Sequence, residues 1–407
     1  TTLNAGNIYL SSGNQLSVTG AKINTNDLIA TAQGQITFRK NQSKTTGTLA
    51  LINERGFVNS ASTTQSQPQS AAAKSPSLAS GSTGAANIVY EAGQVQDSAG
   101  DLVLMTSADI INHGSLIAGG NINLQANNIT NSKVSTTTRT GSGFNTRLSG
   151  EALIQAGGSV FMKATNDINN YAGTIIAKDG DITLLAGGNV NIGSMQERTY
   201  VHSVGKKYYY HYDKITNVGS NLSAGSNIII KAGNDSTVQN GNSGNINITG
   251  SNLRSGTNAI TSAANGSNII MNAANKLNIK SSVDSLISHG TARKSSFRTS
   301  STTNNKSNLI AGSNSSNGNI YINTLNIDQN TGAISIPTSL AVKDISNDVN
   351  IVGSNLKARD ISISANNNIN NIGGRITGTE LVALNAGGNI NNKALINYNI
   401  GGVNSLI

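Results

Sequence analysis

The stretch from Val218 to Asp235 reads VGSNLSAGSNIIIKAGND and contains two short apolar segments, each introduced by Gly-Ser-Asn. Leu222 stands in the first segment and Ile228 to Ile230 fill the second, with Gly225 and Gly233 at the breaks. Branched apolar residues favour strands, whereas Gly, Ser and Asn favour turns. With Val238 on a third segment, the stretch predicts one coil of about 20 residues that ends near Gln239.

Both turn signatures recur along the chain. Gly-Ser-Asn begins at Gly219, Gly225, Gly250, Gly266, Gly312 and Gly353, and Ala-Gly-Gly-Asn begins at Ala118, Ala186 and Ala386. Apolar residues alternate at Ile182 and Leu184, Ile246 and Ile248, Ile269 and Met271, Leu277 and Ile279, Ile320 and Ile322, and Ile361 and Ile363. Period two buries one face of a strand and leaves the intervening side chains in water. Such repetition favours a solenoid over a sandwich or a barrel, and the predicted fold is all-β, a right-handed parallel β-helix with protruding loops or hairpins.

The composition agrees with a solenoid. The 407 residues are 36% hydrophobic and 4% aromatic and include no Trp, which leaves too little bulky apolar material for several layered cores. Charged residues are 12% and Pro occurs 3 times, so the composition is not that of a disordered chain. Cys is absent, which excludes disulfides, thiolate nucleophiles and Cys-type zinc sites.

The charge and the amino terminus bear on partners and location. A formal net charge of +9 favours contact with acidic glycans, lipopolysaccharide or anionic membranes. No helix-turn-helix, ribonucleoprotein or zinc-finger pattern is present, and we expect no nucleic-acid partner. Thr1 to Leu10 lack the basic and apolar regions of a signal peptide, and no apolar run approaches a membrane span. We therefore expect an internal segment of a longer polypeptide, with flanking segments of that polypeptide as neighbours.

The chain divides into two coil regions and one insertion. Residues 1–58 and 88–407 carry the coil pattern, whereas 59–87 are rich in Ser, Ala, Thr and Gln, contain Pro68 and Pro76, and are predicted to be a low-complexity loop insertion. Three excursions near 132–149, 197–217 and 289–308 are rich in Ser, Thr or basic residues and interrupt the second region. We predict that they protrude as hairpins or flexible loops.

The second excursion supplies the candidate binding site. Half of the 10 tyrosines lie there beside basic residues, and the set is Tyr200, Lys206, Lys207, Tyr208, Tyr209, Tyr210 and Tyr212. Aromatic faces beside cations suit sugar stacking, anionic glycans or lipid headgroups. The alternative is a structural hairpin that packs its tyrosines against the outside of the rod.

Catalytic and metal chemistry is weakly represented. Polysaccharide lyases and hydrolases use β-helices, and the nearest carboxylate pair is Asp179 and Asp181, but Lys-Asp-Gly-Asp before Ile182 is typical of a turn. His113, His202, His211 and His289 show no metal-ligand spacing, although His202 and His211 can be neighbours across a hairpin. No catalytic residue, metal or cofactor is assigned, and we expect that the protein is not an enzyme.

The residues from Val218 to Asp235 resemble the haemagglutinin repeats of two-partner secretion exoproteins, a group that includes filamentous haemagglutinins and contact-dependent growth inhibition effectors. Ile182 to Ile192 and Ile369 to Asn392 are similar to the same repeats. The resemblance implies a secreted rod at the bacterial cell surface, exported through an outer-membrane partner transporter. Its implied target is another cell, through glycan, lipopolysaccharide or a receptor protein. Whether the parent protein adheres or delivers a toxin stays open.

Overall fold

The computed structural model describes residues 2–12, 16–19, 22–32, 36–39, 42–45, 49–53, 57–60, 88–90, 95–233, 244–257, 267–292, 295–312, 317–335, 347–394, 398–400 and 403–405. All secondary-structure elements in these ranges are β-strands. The described residues therefore contain no helix that could cross a membrane. The predicted insertion at 59–87 lies outside the described residues from position 61 onward.

Most strands stack in register into a parallel β-helix with three faces. The first face contains β5 (Gln42–Thr45), β9 (Val95–Ser98), β12 (Ser115–Ala118), β17 (Leu153–Ala156), β20 (Thr174–Ala177), β25 (Asn221–Ala224), β28 (Asn252–Ser255) and β33 (Asn308–Ala311). The second contains β6 (Leu49–Asn53), β10 (Leu102–Met105), β13 (Ile122–Ala126), β18 (Val160–Ala164), β21 (Ile182–Ala186), β26 (Ile228–Ala232), β29 (Ile269–Ala273) and β34 (Asn319–Ile322). Four long strands run through both faces: β1 (Thr2–Ser12), β3 (Lys22–Ala32), β38 (Asn355–Ala365) and β40 (Arg375–Ala386).

The third face is a separate parallel ladder. It contains β8 (Ile88–Tyr90), β11 (Ile110–Asn112), β14 (Ile129–Ser132), β19 (Ile168–Tyr171), β22 (Val190–Gly193), β27 (Ile246–Thr249), β30 (Lys276–Lys280), β37 (Asp348–Val352), β39 (Asn368–Ile372) and β41 (Ile390–Lys393). In the amino-terminal coils, β2 (Leu16–Thr19), β4 (Ile36–Arg39) and β7 (Phe57–Ser60) form a ladder of their own. Two small hairpins complete the set, β35 (Asn326–Ile327) with β36 (Ile334–Ser335) and β42 (Tyr398–Ile400) with β43 (Val403–Ser405). The predicted parallel β-helix is therefore confirmed.

The coil predicted between Gly219 and Gln239 is confirmed in its first two strands but is too short. Leu222 and Ile228 to Ile230 lie on β25 and β26 as expected, but the third-face strand of this coil is β27, and Val238 lies outside the described residues. Asn221 pairs with Asn252, so this coil is longer than the predicted period of about 20 residues. Other coils keep the short period, and Leu102 pairs with Ile122.

The core of the rod is a set of aliphatic columns. All six alternating pairs predicted from the sequence point inward, and residues such as Leu184 and Ile248 are completely buried. Burying one such side chain contributes about 1.5–3 kcal/mol. The corners carry polar ladders in place of apolar ones. The backbone N–H of Asn227 donates to Asp181 Oδ1 at 2.8 Å, and the backbone N–H of Asn268 donates to Asn227 Oδ1 at 2.9 Å.

Two further ladders consist of asparagine side chains. An outward column on the third face links successive amide groups at 2.8–2.9 Å through Asn169, Asn191, Asn247, Asn278, Asn350, Asn370 and Asn391. A buried ladder runs through Asn112, Asn131 and Asn170 at 2.8 and 2.7 Å. The abundant Asn thus satisfies hydrogen bonds from coil to coil.

Part of the second face is covered, contrary to the expectation that alternate side chains there face water. Leu185, Ile229 and Ile270 point outward yet are buried, because the segment 323–335 folds back over them with Leu325 and Ile327. Two hydrogen bonds hold this strap: Lys231 Nζ donates to the Ile327 carbonyl at 2.8 Å and Asn272 Nδ2 to the Leu325 carbonyl at 2.6 Å.

The three excursions form one antiparallel sheet beside the rod, which we call the lateral sheet. Its six strands follow one another in chain order: β15 (Val134–Thr140), β16 (Gly143–Ser149), β23 (Met195–Gly205), β24 (Tyr208–Val218), β31 (Ser282–Ala292) and β32 (Ser295–Asn305). The third hairpin begins at Ser282, before the predicted range 289–308. Its first strand contains Val283, Leu286 and Ile287, so its start resembles a coil strand and not a polar excursion.

The hairpins fit together because of where they leave the rod. They emerge at the same corner after β14, β22 and β30, and at that corner the two intervening coils turn directly from β19 into β20 and from β27 into β28. Strands in a sheet and coils in a stack are both about 4.8 Å apart. A hairpin two strands wide therefore matches the rise of two coils, and hairpins that emerge at every second coil meet edge to edge.

Candidate binding surface on the lateral sheet

Register divides the side chains of the second hairpin between two faces. Residues directly opposite each other in antiparallel strands share a face, and neighbours along a strand alternate. Tyr208, Tyr210 and Tyr212 therefore lie on one face, whereas Tyr200 and Tyr209 lie on the other. The seven-residue site predicted from the sequence is not one surface.

The face with Tyr200 and Tyr209, here the histidine face, contains a row of three imidazoles. His202, His211 and His289 are opposite one another on β23, β24 and β31. Ring centroids are 6.0 Å apart for the first pair and 4.8 Å for the second. The predicted proximity of His202 and His211 is confirmed, and His289 joins them from a hairpin far along the chain. Tyr209 Oη lies 3.0 Å from His289 Nε2.

Arg198 organises the other half of the histidine face. Its guanidinium donates to both carboxylate oxygens of Asp213 at 2.9 and 2.7 Å. The same group lies over the rings of Phe144 and Tyr200, 5.3 and 5.6 Å from their centroids, and these rings stack on each other. The hydrogen bond to Asp213 is the main reason that the pKa of Arg198 is raised. These contacts join the first hairpin to the second.

The opposite face, here the tyrosine face, contains Tyr208, Tyr210, Tyr212 and Phe297. Tyr210 and Tyr212 have nearly parallel ring planes, with an interplanar angle of 16° and centroids 6.5 Å apart. Phe297, on β32, lies 6.3 Å from Tyr210. The exposed fractions of Tyr208 and Phe297 are 51% and 53%, which is high for large rings in a sheet. This face presents an aromatic stripe to solvent.

Two glycines shape that stripe. A Cβ on Gly205 would lie 2.2 Å from the Tyr208 ring, and a Cβ on Gly290 would lie 2.9 Å from the Phe297 ring. Each ring therefore lies over a glycine, and about half of each of the two residues remains exposed. A larger residue at either position would lift the ring away from the sheet.

Hydroxyl groups and lysines surround the rings. Ser203 lies opposite Tyr210, and Ser288 lies opposite Tyr212. Thr299 lies opposite Ser288, so all three hydroxyl groups are on the tyrosine face. Lys206 and Lys207 are exposed in the turn at the tip of the hairpin. The tyrosines' ring contacts are with other residues of the lateral sheet, whereas the structural alternative placed them against the rod.

Several residues of this surface carry no local sequence signal. Phe144, Phe297 and His289 come from other hairpins, and nothing local marks them as neighbours of the tyrosines. The division of the tyrosines, in contrast, follows from strand alternation within Tyr208 to Tyr212 alone. Gly205 was also recognisable in principle as a small residue beside an aromatic run.

Asp179, Asp181 and His113, which lie away from the lateral sheet, have structural surroundings. His113 Nδ1 lies 2.7 Å from the Ser132 carbonyl oxygen. Asp181 serves in a corner ladder, and Gly180 forms a bend between Asp179 and β21, in agreement with the turn interpretation. Among the described residues, no three His, Asp or Glu side chains are arranged to hold a metal ion.

Comparison with known proteins gives no match to a family model, to a curated protein or to a solved structure.

Proposed function

We propose that this chain is part of the extracellular β-helical stalk of a large secreted bacterial exoprotein, which presents adhesive or toxin modules to target cells. The observation that carries the proposal is the parallel rod with the lateral sheet along its side. The rod is held by short-range, repeated contacts, so it can be lengthened coil by coil without a new core. Such a scaffold suits display at a distance.

The repeat chemistry supports the same proposal. Gly-Ser-Asn and Ala-Gly-Gly-Asn mark corners of the rod, as at Gly225 between β25 and β26 and at Gly187, Gly188 and Asn189 between β21 and β22. These are the residues through which the sequence resembles two-partner secretion exoproteins. The proposed partners are an outer-membrane transporter during export, flanking segments of the same polypeptide, and a glycan, lipopolysaccharide or receptor protein on the target cell.

Surface labelling tests the proposal. Antibodies raised against the purified chain are applied to intact and to permeabilised cells of the producing organism, with an antibody against a cytoplasmic protein as control. We expect labelling of intact cells, and its loss after brief protease treatment. Labelling that appears only after permeabilisation would place the protein inside the cell and overturn the stalk proposal.

A further inference from the structure

We propose that the tyrosine face binds a neutral oligosaccharide, whose sugar rings stack on Tyr208, Tyr210, Tyr212 and Phe297. This inference deepens the proposed function, on which its biological meaning rests, by naming a ligand class for the lateral sheet. It separates these four rings from Tyr200 and Tyr209, which lie on the histidine face and contact residues there.

First, the aromatic rings of the tyrosine face are exposed to solvent. An aromatic side chain in a protein core is covered by neighbours, but here Tyr208 and Phe297 each cover a glycine and are themselves 51% and 53% exposed. Leaving large apolar faces in water is unfavourable, and an exposed aromatic group of this kind marks a binding surface. A pyranose ring has an apolar face of C–H groups that can cover such a ring.

Second, the aromatic rings are spaced along one strand. Tyr210 and Tyr212 follow each other along one strand at 6.5 Å with nearly parallel planes, so the stripe offers successive stacking positions along a line. Phe297 extends the stripe sideways across Gly290. An extended chain of repeating flat units fits this arrangement better than a single compact ligand.

Third, the side chains beside the aromatic rings carry hydroxyl groups. Ser203, Ser288 and Thr299 can each donate and accept hydrogen bonds, as sugar hydroxyls require. Lys206 and Lys207 lie at the tip, and Lys214 lies at the next position after Tyr212 on the same face. Among the described residues, the two rows of paired positions that contain these hydroxyls include no cation. Repeated phosphates or sulfates would need cations beside each ring, as in single-strand nucleic-acid sites. The arrangement therefore favours an uncharged ligand.

The test is binding of the purified chain to immobilised neutral oligosaccharides of glucose, galactose, mannose and N-acetylglucosamine, with dextran sulfate and oligo-dT as charged comparisons. We expect binding to at least one neutral oligosaccharide that persists in 0.5 M salt, a concentration at which the Debye length is only about 4 Å. Removal of one ring, in Tyr208→Ala, Tyr210→Ala or Phe297→Ala, is expected to weaken binding about 2- to 10-fold.

Two further variants make the test specific. Gly205→Ala keeps every aromatic ring but lifts Tyr208, and we expect a loss similar to that of Tyr208→Ala. Val204→Ser changes an exposed apolar residue on the histidine face of the same strand, and we expect unchanged affinity. Circular dichroism and size-exclusion chromatography verify that each variant folds.

Three results would overturn the inference: no binding to any neutral oligosaccharide, binding only to dextran sulfate or oligo-dT, or binding that Val204→Ser abolishes and the tyrosine-face variants do not. Because the assay uses purified protein, it is independent of surface labelling. Glycan binding without cell-surface exposure would refute the stalk proposal alone, and exposure without glycan binding would refute this inference alone.

Discussion

The rod and the lateral sheet pair their strands in opposite ways. In the rod, partners lie one coil apart, strands run parallel and the core consists of Ile, Leu, Val, Ala and Met. In the lateral sheet, strands run antiparallel and both faces reach solvent, with Val204 66% exposed on one face and Tyr208 51% on the other. The rod is stabilised chiefly by burial, whereas the lateral sheet depends on aromatic, ionic and hydrogen-bond contacts between hairpins.

The comparison shows that the lateral sheet depends on the rod for its alignment. Hairpins meet because two coils rise by the width of two strands. Removal of residues 153–173, one coil of 21 residues by the Ala156 to Ala177 register, would move the first hairpin by about 4.8 Å relative to the second.

The largest expected effect is that of this deletion. We expect the rod to reclose, with β12 on β20, and the pairing of β16 with β23 to be lost. Hydrogen exchange followed by mass spectrometry should show partial loss of amide protection at residues 198–201, because the amides that bond to β16 lose their partners while those that bond to β24 keep them. Deletion of residues 355–374, a coil beyond the last hairpin, is the control and should leave that protection unchanged. Retained pairing in the first deletion would refute the spacing argument.

Core truncation should separate the two regions next. Leu184 is fully buried in the rod, and Leu184→Ala is expected to lower the free energy of unfolding by about 2–5 kcal/mol. Val204→Ala in the lateral sheet is expected to change it by no more than about 0.5 kcal/mol. Urea titration monitored by circular dichroism measures both. Equal effects would mean that the exposed sheet contributes to stability as the core does.

The asparagine ladders should show a smaller contrast. Asn170 is fully buried, accepts from Asn131 at 2.7 Å and donates to the Gly173 carbonyl at 3.0 Å. We expect Asn170→Ala to cost about 1–3 kcal/mol, because buried polar groups lose their partners. Asn247→Ala, in the outward column, leaves groups that water can satisfy and should cost less in the same urea titration. The reverse order would contradict the burial argument.

The smallest expected effect is a dependence on pH at the junction of the second and third hairpins. Burial disfavours the charge of Asp284, but hydrogen bonds from Asn305 and Asn217 outweigh it and leave the pKa of this carboxyl below its ordinary value. A depressed folded-state pKa gives stability that is present above the ordinary value of about 3.9 and is lost as pH falls through the folded one. The junction should therefore weaken in acid below about pH 4.

Spin labels can measure this junction, because the chain has no cysteine of its own. Labels on cysteines introduced at Lys207 and Ser300 report the distance between the two hairpins. We expect the distance distribution to broaden in acid and this dependence to be reduced in Asp284→Asn. A distribution that is unchanged from pH 7 down to the onset of global unfolding in acid would show that Asp284 does not hold the junction.

The rod was largely predictable from the sequence and the lateral sheet was not. Ile182 and Leu184 reveal a buried face by themselves, since alternation is local and turn residues repeat from coil to coil. The pairing of Phe144 with Tyr200, in contrast, joins two excursions that share no repeated pattern. Whether two hairpins meet edge to edge depends on the number of coils between them. The burial of Ile229 was also unpredictable, because it depends on the strap that contains Ile327.

The tiling of hairpins along the rod also affects how the molecule would respond to force. Hydrogen bonds between coils run along the rod axis, so tension applied to the two chain ends would open an unbraced stack one coil at a time. Four coils lie between the bases of the first and third hairpins, and β16–β23 and β24–β31 pairing connects those bases outside the stack. Residues 134–305 would then share the load between two structures and yield after the coils on either side.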